Sequence, residues 1–147
     1  MLRARGEAHD SGMHTSRIAI IAAATTVAAW IAKDIAIGVA GGLGRSPLEA
    51  PLFYLGFAAS IVAVVALALH LTRSRRPVVR VGAVLGAIVG MIVFVVAVNL
   101  ALAPFIPPAP HWVWGEVNLW ITAAVLLIAT LLVRIAGTRS QPRVRRV

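Results

Sequence analysis

Thr25-Thr26-Val27-Ala28-Ala29-Trp30-Ile31-Ala32-Lys33-Asp34-Ile35-Ala36-Ile37-Gly38 sets a lysine and an aspartate side by side within an otherwise apolar run. The run spans about Arg17 to Ala40, long enough at ~1.5 Å per residue to cross a hydrocarbon core of ~30 Å. A charge at the centre of such a helix costs roughly 2.5 to 3.5 kcal/mol on insertion scales, so charged residues there pair, face other helices or mark a pathway. Fourteen residues are Lys or Arg, and Lys33 is the sole lysine, the other thirteen being Arg. The alternative reading is interfacial: Lys33 snorkels toward the headgroups and Asp34 is solvated at the helix end.

Working outward, three more apolar runs follow, about 51–71, 78–103 and 112–135, so the chain reads as an all-α, four-helix transmembrane bundle. A hydrophobic share of 60% and a mean hydropathy of +0.91 lie well above the ~45 to 50% apolar share of a soluble domain. The 147 residues leave room for one membrane domain, about 17–136. Residues 1–16 are polar and aperiodic and read as a disordered basic tail, with Met13 an alternative start. Residues 137–147 read as a basic C-terminal tail. A cleavable signal peptide is disfavoured because the first run is too long and carries Lys33 and Asp34 where such a segment is apolar. The Ala, Val, Gly and Arg bias fits a GC-rich bacterial genome.

The net charge of +9 does not imply nucleic acid. Arginines cluster in short segments flanking apolar runs, where positive charge sets topology and meets anionic lipid. Twelve of the thirteen lie in, or in the helix ends next to, the N-terminal flank, the loop between the second and third helices and the C-terminal tail; the other two loops carry only Arg45. Positive charge therefore puts both termini in the cytoplasm, as a multi-pass protein of the bacterial plasma membrane. With no cysteine, thiolate metal sites and thiol chemistry are excluded. His9, Asp10 and His14 on a tail are weak grounds for a metal site, and His70 beside Arg73 and Arg75 reads as interfacial. No cofactor and no metal are expected.

Two packing ridges stand out. In the first helix Ala24, Ala28, Ala32, Ala36 and Ala40 repeat every four residues, opposite a face with Thr26, Trp30, Lys33 and Ile37. In the third, Gly82, Gly86 and Gly90 form a doubled GxxxG, a stripe that lets membrane helices approach closely; its expected partner is the first helix or a second protomer. Trp30, one turn from Lys33, is placed for a cation–π contact. The stretch 104–111 carries four prolines and is expected to form a stiff, extended connector. Trp112, Trp114 and Trp120 suggest an aromatic belt.

Counted back from the outer helix ends, Lys33, Asp34, Tyr54, Asn99, Glu116 and Asn118 fall within roughly 5 to 10 Å of the boundary at ~1.5 Å per residue. A layer drawn from all four helices suggests a small outward-opening cavity in which Lys33 pairs with Asp34 or Glu116, while Tyr54 and Asn99 satisfy the remainder. Two carboxylates and a lysine can in principle do acid–base work. Yet the chain has no cysteine, no histidine pair and no serine beside a base within the apolar runs, so an enzyme is not expected. The expected role is a non-enzymatic accessory or structural membrane subunit, with anionic lipid at its cytoplasmic face and a membrane-protein partner or a second copy. The alternative is a small transporter or ligand-binding protein using the polar layer.

Overall fold

The structure, a computed structural model, describes residues 2–108 and 111–139, with side chains described over 14–108 and 111–136. Four helices follow in order: α1 (Leu2–Ala40), α2 (Glu49–Leu71), α3 (Pro77–Leu102) and α4 (Val113–Arg139), with a 3-10 turn (Ala103–Phe105) after α3. All four are long and apolar enough to span a membrane, over His14–Ala40, Glu49–Leu71, Pro77–Phe105 and Val113–Ala136. The all-α, four-helix architecture is as expected.

The boundaries differ in instructive ways. α1 starts at Leu2 rather than Arg17, so the segment expected to be disordered is helical from its second residue. Extending a formed helix needs no new nucleus, and Leu2, Arg3, Ala4, Arg5, Glu7 and Ala8 include good helix formers. α2 starts at Glu49, two residues ahead of Pro51, which stays within the first turn where a missing N–H is harmless. α3 has Pro77 at its start for the same reason. Pro104 is not extended but sits in the 3-10 turn, and the chain becomes extended at Ile106. α4 continues to Arg139, into the expected basic tail, whose residues 140–147 lie outside the described ones.

α1 ends in a glycine closure. The Gly42 N–H bonds to the Ile37 carbonyl at 3.0 Å and the Gly41 N–H to the Gly38 carbonyl at 3.2 Å, with Gly41 at φ 79°. This is the paired bonding of a Schellman ending, and its left-handed residue strongly favours glycine. The following loop is held by the Gly44 N–H, which donates to Glu49 Oε2 at 2.7 Å.

The packing between α1 and α2 is the most extensive in the bundle, and it is small against small. On α1 the buried positions are Ala19, Ala22, Ala23, Thr26, Ala29, Trp30, Lys33, Asp34 and Ile37; on α2 they are Gly56, Ser60, Ala63, Ala66 and Ala68. The ridge expected to pack is therefore the wrong one: Ala28 and Ala32 are exposed and Ala36 is half-buried. Alanine occurs around most of α1, so alanine spacing alone does not choose a face. Thr26, Lys33 and Asp34 decide it, because lipid offers no partners and polar groups turn into the bundle. Packing and chemistry share one face rather than dividing the helix.

Buried hydroxyls are largely satisfied within their own helices. Thr26 donates to the Ala22 carbonyl at 3.0 Å, Ser60 to Phe57 at 2.7 Å, Thr122 to Asn118 at 2.7 Å and Thr130 to Leu127 at 2.8 Å. This back-bonding lets small polar residues sit in an apolar core without a cross-helix partner.

α3 differs from the other helices in burying none of its residues. Its half-buried residues, Ala83, Val84, Ala87, Ile88, Met91, Phe94 and Val95 among them, face the bundle. Gly82, Gly86 and Gly90 lie outside this stripe, and an added Cβ at any of them would meet nothing within 4 Å. The GxxxG ridge does no packing within this chain.

Candidate functional site

Lys33 and Glu116 form the centre of the polar layer. Lys33 lies about two turns from the end of α1 and Glu116 in the first turn of α4, where the positive end of the helix dipole favours a carboxylate. The Lys33 ammonium donates to Glu116 Oε2 in a salt bridge whose side chains are only 4% and 7% exposed. Of the two partners expected for Lys33, the structure selects Glu116. The ammonium also lies 5.5 Å from the centroid of the Phe53 ring. The expected partner Trp30 points elsewhere: its Nε1–H reaches the Phe53 carbonyl at 3.5 Å, and its indole fills the space over Gly56. A Cβ at Gly56 would lie 2.2 Å from Trp30 Nε1, so this glycine is what admits the indole between α1 and α2.

Asp34 is 8% exposed and takes a different partner. Trp120 Nε1–H donates to its Oδ2, while its Oδ1 has no hydrogen-bond partner among the described residues. Two polar clasps thus join α1 to α4, one ionic through Lys33 and one through Asp34. A buried ion pair contributes little net stability by itself but fixes which helix faces which, because breaking it leaves an uncompensated charge.

The other members of the layer are set apart. Asn118 Nδ2 donates to Asn99 Oδ1 at 2.9 Å, joining α4 to α3, and Asn99 Nδ2 donates to the Val95 carbonyl at 3.0 Å. Asn118 Oδ1 has no partner among the described residues. Tyr54 is 66% exposed and does not close over the ion pair; it stands at the mouth of a cavity of about 370 Å³ shared with Lys33, Ser46, Glu49 and Phe53. The single cavity expected from the layer is therefore replaced by an ionic clasp, an asparagine pair and a flanking pocket.

A second, larger space of about 690 Å³ lies between α1 and α4, with Asp34 in its wall. Trp30, Trp112 and Trp120 line it, and Gly38, Ala123 and Ala124 leave it open. Ile31, Ile35 and Trp120 are exposed along it, so it opens on the flank of the bundle. Sequence reasoning placed Trp112 and Trp120 in a belt and missed the groove. The available signal was the facing pair of small-residue sets, Gly38 on one helix and Ala123-Ala124 on another, beside an acid. His70, expected at the interface, lies 3.5 Å through Nδ1 from the Thr15 hydroxyl, tying the end of α2 to α1.

No protein-family profile, no curated protein and no solved structure matches this chain, so the reading of its function rests on these residues alone.

Proposed function

We propose that this chain is a non-enzymatic accessory or structural subunit of a bacterial plasma-membrane assembly, with both termini cytoplasmic and its basic segments on anionic lipid. The observation that carries the reading is α3. It packs on its neighbours through one half-buried stripe and presents Gly82, Gly86 and Gly90 outside it, where an added Cβ would meet nothing within 4 Å. Membrane helices associate through such surfaces because backbones can approach closely, gaining dispersion contacts without ordering long side chains. The occupant is a transmembrane helix of a different protein. The Lys33–Glu116 and Asp34–Trp120 clasps join α1 to α4 and leave the glycine face of α3 clear of their contacts.

Native mass spectrometry of the tagged protein, extracted gently from its own membrane, tests this reading. A foreign subunit at fixed stoichiometry, lost on Gly86→Leu, supports it; a monomer, or a homodimer without a foreign chain, refutes it. The orientation has its own test, since the chain lacks cysteine. Ser46→Cys should react with an impermeant maleimide on intact cells, and Ser74→Cys only after permeabilisation.

A second reading, a small transporter or ligand-binding protein, is favoured by one observation. Asp34 lines a 690 Å³ groove and is buried with one carboxyl oxygen that has no partner among the described residues.

A further inference from the structure

We propose that the groove between α1 and α4 binds an organic cation whose charge is flanked by apolar groups. The inference rests on the ligand-binding reading and supplies its ligand class.

Charge comes first. The polar layer joining α1 and α4 contains one formal cation, Lys33, and two formal anions, Asp34 and Glu116. Lys33 is held by Glu116, which is the one salt bridge among the described residues, so Asp34 has no cation of its own. Among the described residues its sole hydrogen-bond donor is the neutral Trp120 indole on Oδ2, leaving Oδ1 without a partner there in a residue that is 92% buried. A buried carboxyl oxygen without a donor is costly, and a cation held in the groove that Asp34 lines offsets the carboxylate through its charge.

Shape and wall chemistry then narrow the class. At about 690 Å³ the groove is within the ~300 to 1,000 Å³ range of small-molecule sites. Its lining is almost wholly apolar, so a small hydrated ion would lose its water shell with a single carboxylate in return. A bulky cation with a diffuse charge loses far less. Three indoles, Trp30, Trp112 and Trp120, line parts of the groove, and Trp120 is the one bonded to Asp34. Tryptophan is the aromatic ring with the strongest attraction for a cation over its face, and a ring cluster with an acid is the general solution for quaternary ammonium recognition. Gly38, Ala123 and Ala124 provide the room: a Cβ at Gly38 would lie 3.9 Å from Trp112 Cζ2, in ordinary contact. Because the groove opens on the flank of the bundle, the ligand enters from the membrane phase. Its source is either a free lipophilic cation or the amine headgroup of a lipid.

The test uses the purified full chain in a non-ionic maltoside detergent, with tetraphenylphosphonium as probe and tetraphenylborate as a near-isosteric anion. Equilibrium dialysis and tryptophan fluorescence should report saturable binding of one phosphonium per chain, and at least tenfold weaker binding of the borate. Asp34→Asn keeps an oxygen for Trp120 and removes the charge; it should weaken phosphonium binding at least tenfold. Ala124→Leu fills the groove from an exposed position and should weaken it similarly. Unchanged helicity by circular dichroism and unchanged thermal unfolding show that both variants fold. Release of an amine-bearing lipid on adding phosphonium assigns the natural ligand to lipid, and binding without release assigns it to a free cation; both support the proposal. Equal or tighter binding of the borate, or phosphonium binding untouched by Asp34→Asn, overturns the cation class and leaves a ligand site standing. Saturable binding of neither probe overturns the ligand-binding reading as well.

Discussion

Removing Lys33 and removing its charge partner should not be equivalent, and the difference follows from the three charges of the layer. Lys33→Met keeps most of the apolar stem beside Phe53 and deletes the ammonium, leaving the Asp34 and Glu116 carboxylates together in a buried region with no cation. Removing one partner of a buried pair typically costs about 3 to 5 kcal/mol, mainly because the other charge is stranded. A cost of about 3 kcal/mol is roughly a 150-fold change in the folding equilibrium. Glu116→Gln instead leaves Lys33 charged, with Asp34 adjacent in sequence and Phe53 beneath it, so its cost should be smaller, about 1 to 3 kcal/mol. The double variant Lys33→Met with Glu116→Gln strands neither member of the pair and should lie within about 1.5 kcal/mol of wild type. Unfolding by sodium dodecyl sulfate in mixed micelles, followed by tryptophan fluorescence, measures all four proteins. Strong non-additivity, with the double variant more stable than Lys33→Met alone, is the expected result. Two weak single variants, or a double variant as damaged as the worse single, would refute the assignment of Lys33–Glu116 as the clasp between α1 and α4.

Gly56→Ala should destabilise the bundle by about 1 to 3 kcal/mol, since the new methyl would lie 2.2 Å from Trp30 Nε1 and the indole is confined between two helices; a detergent melt measures it. Gly86→Leu should leave monomer stability unchanged or improved by up to about 1 kcal/mol, because the site is empty and glycine is a poor helix former; the same melt checks this. Asn99→Leu should cost less than about 1 kcal/mol, in line with the modest strength of interhelical hydrogen bonds in membranes, despite removing the bond to Asn118. Gly41→Ala should cost about 1 to 2 kcal/mol through its φ of 79°, read in the same unfolding titration.

The fold was legible because length and hydropathy are enough to mark membrane helices, and proline and glycine punctuate the loops: Gly41 ends α1 and Pro77 opens α3. The partners within the site were only half legible. Spacing brought Lys33, Asp34 and Glu116 to one depth, but depth says nothing of rotation about the helix axis. Rotation decides that Lys33 meets Glu116 while Asp34, the next residue and about 100° round the helix, meets Trp120. The alanine ridge misled for the same reason: where Ala22, Ala23, Ala28, Ala29 and Ala32 cover several faces, the polar residues choose the packed one. Trp30 was assigned to Lys33 by one-turn spacing, whereas Gly56, distant in sequence, opens the space that the indole occupies. The groove was illegible because it belongs to neither helix alone. The glycine ridge of α3, expected to pack on the first helix or a second protomer, packs on nothing within this chain.

Site-specific photo-crosslinking on α3 in the native membrane shows whether the glycine face meets a foreign helix, with the photoreactive group at Gly86 and, as control, at the neighbouring exposed Leu85. One adduct of defined mass containing a different membrane protein, formed from position 86 and far weaker from position 85, is the expected result. Equal labelling from both positions, no protein adduct, or an adduct of two copies of this chain alone would contradict it.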